Sequence, residues 1–407
     1  MPDTNSPKTN HAPPILDKLI QVSLFAFAIF SLFSISATQI SFSIGVLAWL
    51  LKIHLTKSWQ EIRGSLVGTA ILCFCLASIL AITTSIDWET SLGHLKKLIQ
   101  FAIIFWVANT VQNEKQRDLL VSLVIIAGVA AALNGLPQYW DPAYNALHRI
   151  HGTMSVPSTF SGILMITGLL ALGSFLFHEP KKYWVLGSVG VIGLCLLVTM
   201  TRQAWLGFLI GAVVLVFFWN KKYILIIPLL LAVLLFYVPK DIKERVFSFS
   251  NTNDIALQAR RSLWESGWKI FKDYPITGCG YKCVDQIYSQ YLEPSGHLKR
   301  LRGMHNNILQ LLIDTGIIGL GAWLAIWVTY FMELFQRWRK LAKEAPQDNA
   351  KGIIMGSMAT VLAFLVGGNF ETNIYDSEVA MLLYFIMGIS LANVKKSPEQ
   401  EQPISGS

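Results

Sequence analysis

Long apolar runs alternate with short polar segments along nearly the whole chain. Crossing a bilayer as a helix takes roughly 17–25 mainly apolar residues, and many of the runs approach that length. They are predicted as transmembrane helices at residues 19–37, 40–55, 66–84, 92–111, 118–137, 158–178, 183–200, 203–219, 222–238, 306–334, 353–370 and 377–394. A single long polar segment interrupts the series, between the ninth and tenth runs.

This pattern predicts an all-α polytopic membrane protein of about 12 transmembrane helices with one large, partly helical loop outside the cytoplasm. The expected units are a bundle of nine spans with a cytoplasmic N-terminus (1–238), the large loop (239–304), three C-terminal spans (305–394) and a cytoplasmic tail (395–407). Composition agrees: 53% of residues are hydrophobic and 14% are charged, against about 25% charged in soluble domains.

Basic residues give the orientation. Lysine and arginine concentrate in alternate short loops and in both tails, whereas the opposite short loops contain only Arg149 and Arg202. Because basic loops stay in the cytoplasm, both termini are predicted to be cytoplasmic and the large loop lies outside. The net charge of +8 therefore reflects membrane orientation, and nucleic acid is not an expected partner.

Arginines on the outer side are candidates for anion binding. Arg202, in the turn TMTRQAWLG, either contacts lipid headgroups or binds an anion through its planar guanidinium. Residues 255–272 are predicted to be helical, with Arg261, Trp264, Trp268 and Phe271 sharing one face at i, i+3, i+7 and i+10. Arg261 therefore either packs on the indoles or points into a site.

His305 lies just before the tenth run, in RLRGMHNNILQLLIDTGIIGLGAWL. Asn306 or Asn307 can cap the helix that follows. The imidazole then lies at the positive end of a helix dipole, which favours the neutral, proton-accepting ring. A histidine at a membrane edge is otherwise an ordinary interfacial side chain. Asp314, within the same run, needs a partner in the membrane, and Lys96 and Lys97 are candidates.

Other polar residues complete the set of candidates. Glu371 and Asp376, in GGNFETNIYDSE, are either site carboxylates or solvated turn residues. Arg149 begins the polar loop RIHGTMSVPSTFSG, which could close one wall of a site. Cys279 and Cys283 could form a disulfide if their loop is outside the cytoplasm. Since their spacing matches no metal-binding motif, no metal is expected.

Three blocks resemble the bacterial O-antigen ligase and polymerase superfamily. HNNILQLLIDTGIIGLG resembles its His-Asn-x-x-Leu and acidic-x-Gly-x-x-Gly signature, and TRQAWLG resembles its arginine-containing turn. RRSLWESGWKIFKDYPITGCG resembles the Arg-x-x-x-Trp and Pro-x-x-Gly-x-Gly segment that precedes the histidine. The blocks occur in the family's order around one large loop.

The resemblance implies transfer of a glycan from undecaprenyl diphosphate to an acceptor hydroxyl at the periplasmic face of the bacterial inner membrane, with no cofactor or metal. Arg202 and Arg261 match the family's diphosphate-binding arginines, and His305 matches its proposed general base. The supporting residues expected around them are Asn306, Asp314, Glu371, Asp376 and Arg149.

The expected function is that of an O-antigen ligase, with lipid A-core as acceptor, membrane lipid as surroundings and inversion at the anomeric carbon. Two activities of the same superfamily remain open, O-antigen polymerase and protein O-oligosaccharyltransferase. Two functions of other classes also remain open. One is an ion-coupled transporter that uses Asp314, Lys96 and Lys97 as an ion pathway, and the other is a non-enzymatic scaffold.

Overall fold

A computed structural model describes residues 13–61, 64–143, 149–247, 255–291, 303–344 and 349–394. The described residues form helices and turns without a β-strand, which confirms the all-α prediction. The predicted tail 395–407 and parts of the loop 239–304 lie outside them. The helices, α1 to α17, are Pro14–Phe30, Ile35–Thr56, Leu66–Thr83, Trp88–Leu92, Leu95–Leu98, Ala102–Thr110, Glu114–Gly135, Pro157–Phe177, Tyr183–Val198, Arg202–Asn220, Ile226–Tyr237, Lys240–Phe247, Ile255–Asp273, Val284–Tyr291, Asn307–Glu344, Ala350–Gly367 and Ser377–Leu391.

Several of these helices have the length and composition of membrane spans. Within the described part of the chain, 8 segments of 18 or more residues meet both conditions, and α9 and α17 are shorter apolar helices. The described residues contain fewer candidate spans than the roughly twelve predicted. Part of this difference in number arises where two predicted spans, 203–219 and 222–238, meet. There a 3₁₀ turn at Lys221–Leu225 joins α10 to α11, and one candidate span runs through it, from Arg202 to Leu230.

Two predicted span boundaries differ from the structure. The first two helices are separated at residues 31–34, because Ser34 caps α2 by accepting a hydrogen bond from the amide of Ala37 at 3.3 Å. The run predicted at 92–111 is not one regular helix, since a 3₁₀ turn at Ile99–Phe101 separates α5 from α6. Lys96 and Lys97 lie in the short helix α5, inside a candidate span that runs from Trp88 to Thr110.

The helix α8 lies at the centre of the bundle, where small residues allow close packing. A Cβ added to Gly173 would lie 2.5 Å from Cα of Gly356 on α16, and one added to Gly207 of α10 would lie 2.7 Å from the carbonyl oxygen of Ala363. Helices in lipid gain their mutual stability from this kind of close contact. The packing joins α8, α10 and α16 into a rigid base for the segments at their ends.

The long helix α15 is broken at Gly316, whose φ is +63°. The segment 275–280 lies along the break and pairs with its backbone. The amide of Cys279 donates to the carbonyl of Ile313 at 2.8 Å, and the amide of Ile317 donates to the carbonyl of Pro275 at 3.0 Å. A break inside a membrane helix must have its backbone groups satisfied in this way. The long loop is thereby fixed to the first turns of α15.

Replacing Gly316 by alanine should destabilise the protein by about 3 kcal/mol, since the left-handed conformation and the crowding both disfavour a side chain. A Cβ at this position would lie 2.1 Å from the carbonyl oxygen of Ile276. Thermal unfolding in detergent measures the effect. Gly321→Ala in the same helix is the matched control, because its Cβ meets no atom within 4 Å. Equal unfolding temperatures for the two variants would contradict this account.

The long loop has a small hydrophobic core of its own, which includes Leu263, Ile270 and a disulfide between Cys279 and Cys283. The predicted helix 255–272 is confirmed as α13. Trp268, on the face that Arg261 shares, is 49% exposed and does not pack into this core. The face that packs contains Gly267 instead, where a Cβ would lie 2.8 Å from the sulfur of Met304.

Candidate functional site

His305 and Glu371 form a hydrogen-bonded pair between α15 and the turn before α17. Nδ1 of His305 lies 2.9 Å from Oε1 of Glu371, and their side chains are 29% and 24% exposed. His305 has a φ of +48°, an unusual conformation for a residue other than glycine. Strain of this kind is commonly found at functional sites. The pair is therefore both accessible and held in an unusual geometry.

The two asparagines after His305 hold this pair in place. Oδ1 of Asn306 accepts a hydrogen bond from the amide of Leu309 at 3.0 Å, which caps α15 as predicted, and its Nδ2 donates to the carbonyl of Asn369 at 3.1 Å. The amide of Asn307 donates to the carbonyl of Gly368 at 2.6 Å. The sequence His-Asn-Asn thus ties the start of α15 to the turn that carries Glu371.

The charge of Glu371 sets the tautomer of His305. Burial tends to raise the pKa of the Glu371 carboxyl, but the hydrogen bond and charge of His305, together with Arg260, lower it below its ordinary value. Glu371 is therefore ionised at neutral pH and can only accept hydrogen bonds. In the neutral ring Nδ1 then carries the hydrogen, and Nε2 is left as the proton acceptor.

Arginines gather near this pair. Nη1 of Arg149 donates to the carbonyl of Met200 at 3.3 Å, and Nε of Arg245 in α12 donates to the same carbonyl at 3.3 Å. The charges of Arg202 and Arg260 both act on Arg149. Arg202 is the first residue of α10 and is only 9% exposed. We call Arg149, Arg202, Arg245 and Arg260 the arginine cluster.

The arginine cluster is electropositive. Burial lowers the pKa of Arg149, the like charges of Arg202 and Arg260 lower it further, and Glu371 opposes them. Guanidinium groups remain charged in proteins despite such shifts. The dipole of α10, whose N-terminal residue is Arg202, adds further positive potential. Bringing like charges together costs free energy that an anion between them would offset, so the arrangement is suited to binding an anionic group.

The structure distinguishes the two neighbouring arginines of α13. Arg261 is exposed, whereas Arg260 is half-buried and acts on Glu371. The sequence interpretation missed Arg260, although two signals were present. Arg260 continues the packed face of Leu263, Gly267 and Ile270 at helical spacing, and Arg260, not Arg261, has the Arg-x-x-x-Trp spacing to Trp264.

The indole Nε1 of Trp264 donates to the carbonyl of Met304 at 2.9 Å, which places α13 beside His305.

Two of the predicted supporting carboxylates have structural partners. Asp314 is fully buried and accepts hydrogen bonds from Gln310, at 3.0 Å, and from Tyr375. The lysine partner predicted for it is not what the structure shows, since Lys97 donates instead to the carbonyl of Tyr375 at 2.8 Å. Asp376 caps α17 by accepting from the amide of Glu378 at 3.1 Å. Both carboxylates support the turn that carries Glu371.

Two comparisons with known proteins found similar sequences. A family model described as O-antigen ligase matches residues 187–324. An O-antigen ligase of Pseudomonas aeruginosa is 27% identical over 287 residues, which cover 67% of this chain and 66% of the relative. The chain is similar to O-antigen ligases over these residues.

The match to the O-antigen ligase family extends from α9 into α15 and includes Arg202, Arg260 and His305. Arg149 and Glu371 lie outside it, on either side. Both matches confirm the resemblance to O-antigen ligases that the sequence motifs indicated. Together with the apolar helices, this similarity indicates a multi-pass membrane protein.

Proposed function

We propose that this protein is an O-antigen ligase that transfers a glycan from undecaprenyl diphosphate to a sugar hydroxyl of lipid A-core. It acts at the periplasmic face of the inner membrane, in a bundle of about twelve spans with both termini in the cytoplasm and the long loop in the periplasm. The proposal is supported above all by the His305–Glu371 pair beside the arginine cluster, which joins a base to an anion site.

The arginine cluster binds the diphosphate of the donor. Arg149, Arg202 and Arg260 offer guanidinium forks suited to phosphate oxygens, and their fixed charges stabilise the negative charge that grows on the leaving diphosphate. The apolar helices around the site hold the polyprenyl tail. Arg261 was predicted for this role from sequence, but its exposed position on α13 leaves it outside the arginine cluster.

His305 acts as general base on the acceptor. Its Nε2 accepts the proton of the sugar hydroxyl while the hydroxyl oxygen forms a bond to the anomeric carbon of the donor. The bond between that carbon and the diphosphate oxygen breaks, and the diphosphate leaves with the electron pair. A single displacement of this kind inverts the anomeric configuration. Glu371 does not react; it orients His305 and stabilises the imidazolium ion that forms.

Gene deletion distinguishes a ligase from a polymerase of the same superfamily, and the single large loop favours the ligase. We expect the deletion strain to lack O-antigen on lipid A-core while it accumulates polymerised glycan on the lipid carrier. Single repeat units attached to the core would instead identify a polymerase. Complementation with the wild-type gene should restore the attached polymer, which electrophoresis of extracted lipopolysaccharide displays directly.

A further inference from the structure

A polar cavity of about 1060 Å³ lies next to the His305–Glu371 pair. Its wall is formed by the region of α4 and α5, the start of α14 and the turn before α17. Glu371 lines this cavity, whereas no member of the arginine cluster lines it among the described residues. The cavity and the arginine cluster are therefore neighbouring spaces that meet at Glu371.

The side chains of the cavity provide both hydrogen-bond donors and acceptors. Lys96 and Lys282 are exposed and make no ion pair within the described ranges, so their ammonium groups can donate to a ligand. Acceptors on the wall include Asp285 and Glu378. Mixed charges of this kind do not select a simple anion. They suit a ligand rich in hydroxyl groups, because each hydroxyl both donates and accepts.

Aromatic rings form one side of the cavity. The ring of His94 stacks on Tyr281 with centroids 5.0 Å apart and meets the edge of Tyr375 at 4.8 Å. His94 lines the cavity and is only 7% exposed, yet its Nε2 has no hydrogen-bond partner in the described part of the chain. A buried polar atom without a partner is costly to retain, and beside a cavity it indicates a place for a polar ligand.

Resting on the proposed function, we propose that this cavity binds the acceptor as an oligosaccharide of several sugar units, with Lys96 and Lys282 donating to its oxygens. Its volume of about 1060 Å³ lies just above the range of roughly 300–1,000 Å³ typical of small-ligand pockets, which is more than one sugar requires. The bound acceptor presents a hydroxyl to His305 beside Glu371, while the donor diphosphate occupies the arginine cluster on the other side.

The double variant Lys96→Gln/Lys282→Gln tests the cavity. In transfer assays with purified lipid A-core and lipid-linked donor, we expect the KM for the acceptor to rise about tenfold, the effect of losing two solvent-exposed charged contacts, while the KM for the donor stays within twofold. Lys272→Gln, at an exposed lysine of α13, is the matched control and should change neither constant. An equal rise in both constants, or no rise in the acceptor KM, would overturn the inference.

Calorimetric binding of delipidated core oligosaccharide to the His305→Ala protein provides a readout that does not need catalysis. We expect binding, and about tenfold weaker binding when both lysines are also replaced, because two solvent-exposed charged contacts are lost. Absence of binding to the His305→Ala protein, or equal binding by the two proteins, would overturn the acceptor cavity. Failure of the proposed function is a separate result: His305→Ala would then transfer glycan at the wild-type rate.

Discussion

Replacing His305 by alanine is expected to lower the rate of glycan transfer by about 10²–10⁴-fold, the contribution of a well-placed general base. The acceptor hydroxyl would then have to attack without losing its proton to the imidazole. Because the side chain of His305 is partly exposed and its described hydrogen bond is to Glu371, the variant should still fold and insert. Transfer from lipid-linked donor to lipid A-core by purified protein measures the rate.

Glu371→Gln separates the orienting role from the base itself. The amide can still contact Nδ1, but its lost charge no longer fixes the hydrogen there, so we expect a smaller loss than for His305→Ala. The double variant should be no slower than His305→Ala alone, because residues that act as one unit are non-additive. Multiplication of the two single losses in the double variant would show that Glu371 acts independently of the histidine.

Periodicity and charge predicted most of the helices because lipid imposes simple rules on length and polarity. The predicted run 158–178 corresponds to α8, and 66–84 corresponds to α3. These rules consider one segment at a time. They cannot predict a break in a helix whose backbone groups form hydrogen bonds with a distant segment. The break at Gly316 depends on Pro275 and Cys279 lying alongside α15, and no spacing within 306–334 reveals that contact.

The sequence predicted His305 and Arg202 as site residues, but it could not distinguish the acid that contacts His305 from the acids that have structural partners. Asp314 was unusual by its position in a membrane helix, yet Gln310 and Tyr375 satisfy it. Glu371 and Asp376 were equivalent in sequence, since both follow the same apolar run. The hydrogen bond from Nδ1 of His305 to Glu371 and the capping of α17 by Asp376 distinguish them, and both are tertiary contacts.

The adjacent arginines of α13 offer a matched test of the anion site. Arg260→Ala should reduce kcat/KM for the lipid-linked donor by about 10²–10³-fold, comparable to removing one preorganised donor to a developing negative charge. Arg261→Ala should reduce it less than about threefold, since exposed charges contribute little. Both substitutions remove the same charge from the same helix, so differences in insertion or net charge do not explain a difference in rate.

Arg260→Lys tests whether the charge of Arg260 or its planar guanidinium group accounts for the loss of activity in Arg260→Ala. Lysine retains the charge but lacks the planar fork that binds two phosphate oxygens together, so we expect it to recover only a small part of the lost activity. Half-buried Arg260 acts on both Glu371 and Arg149, which places its charge between the base and the other arginines. If Arg261→Ala were the more damaging change, the donor diphosphate would have to lie on the exposed side of α13. The arginine cluster would then serve another anion.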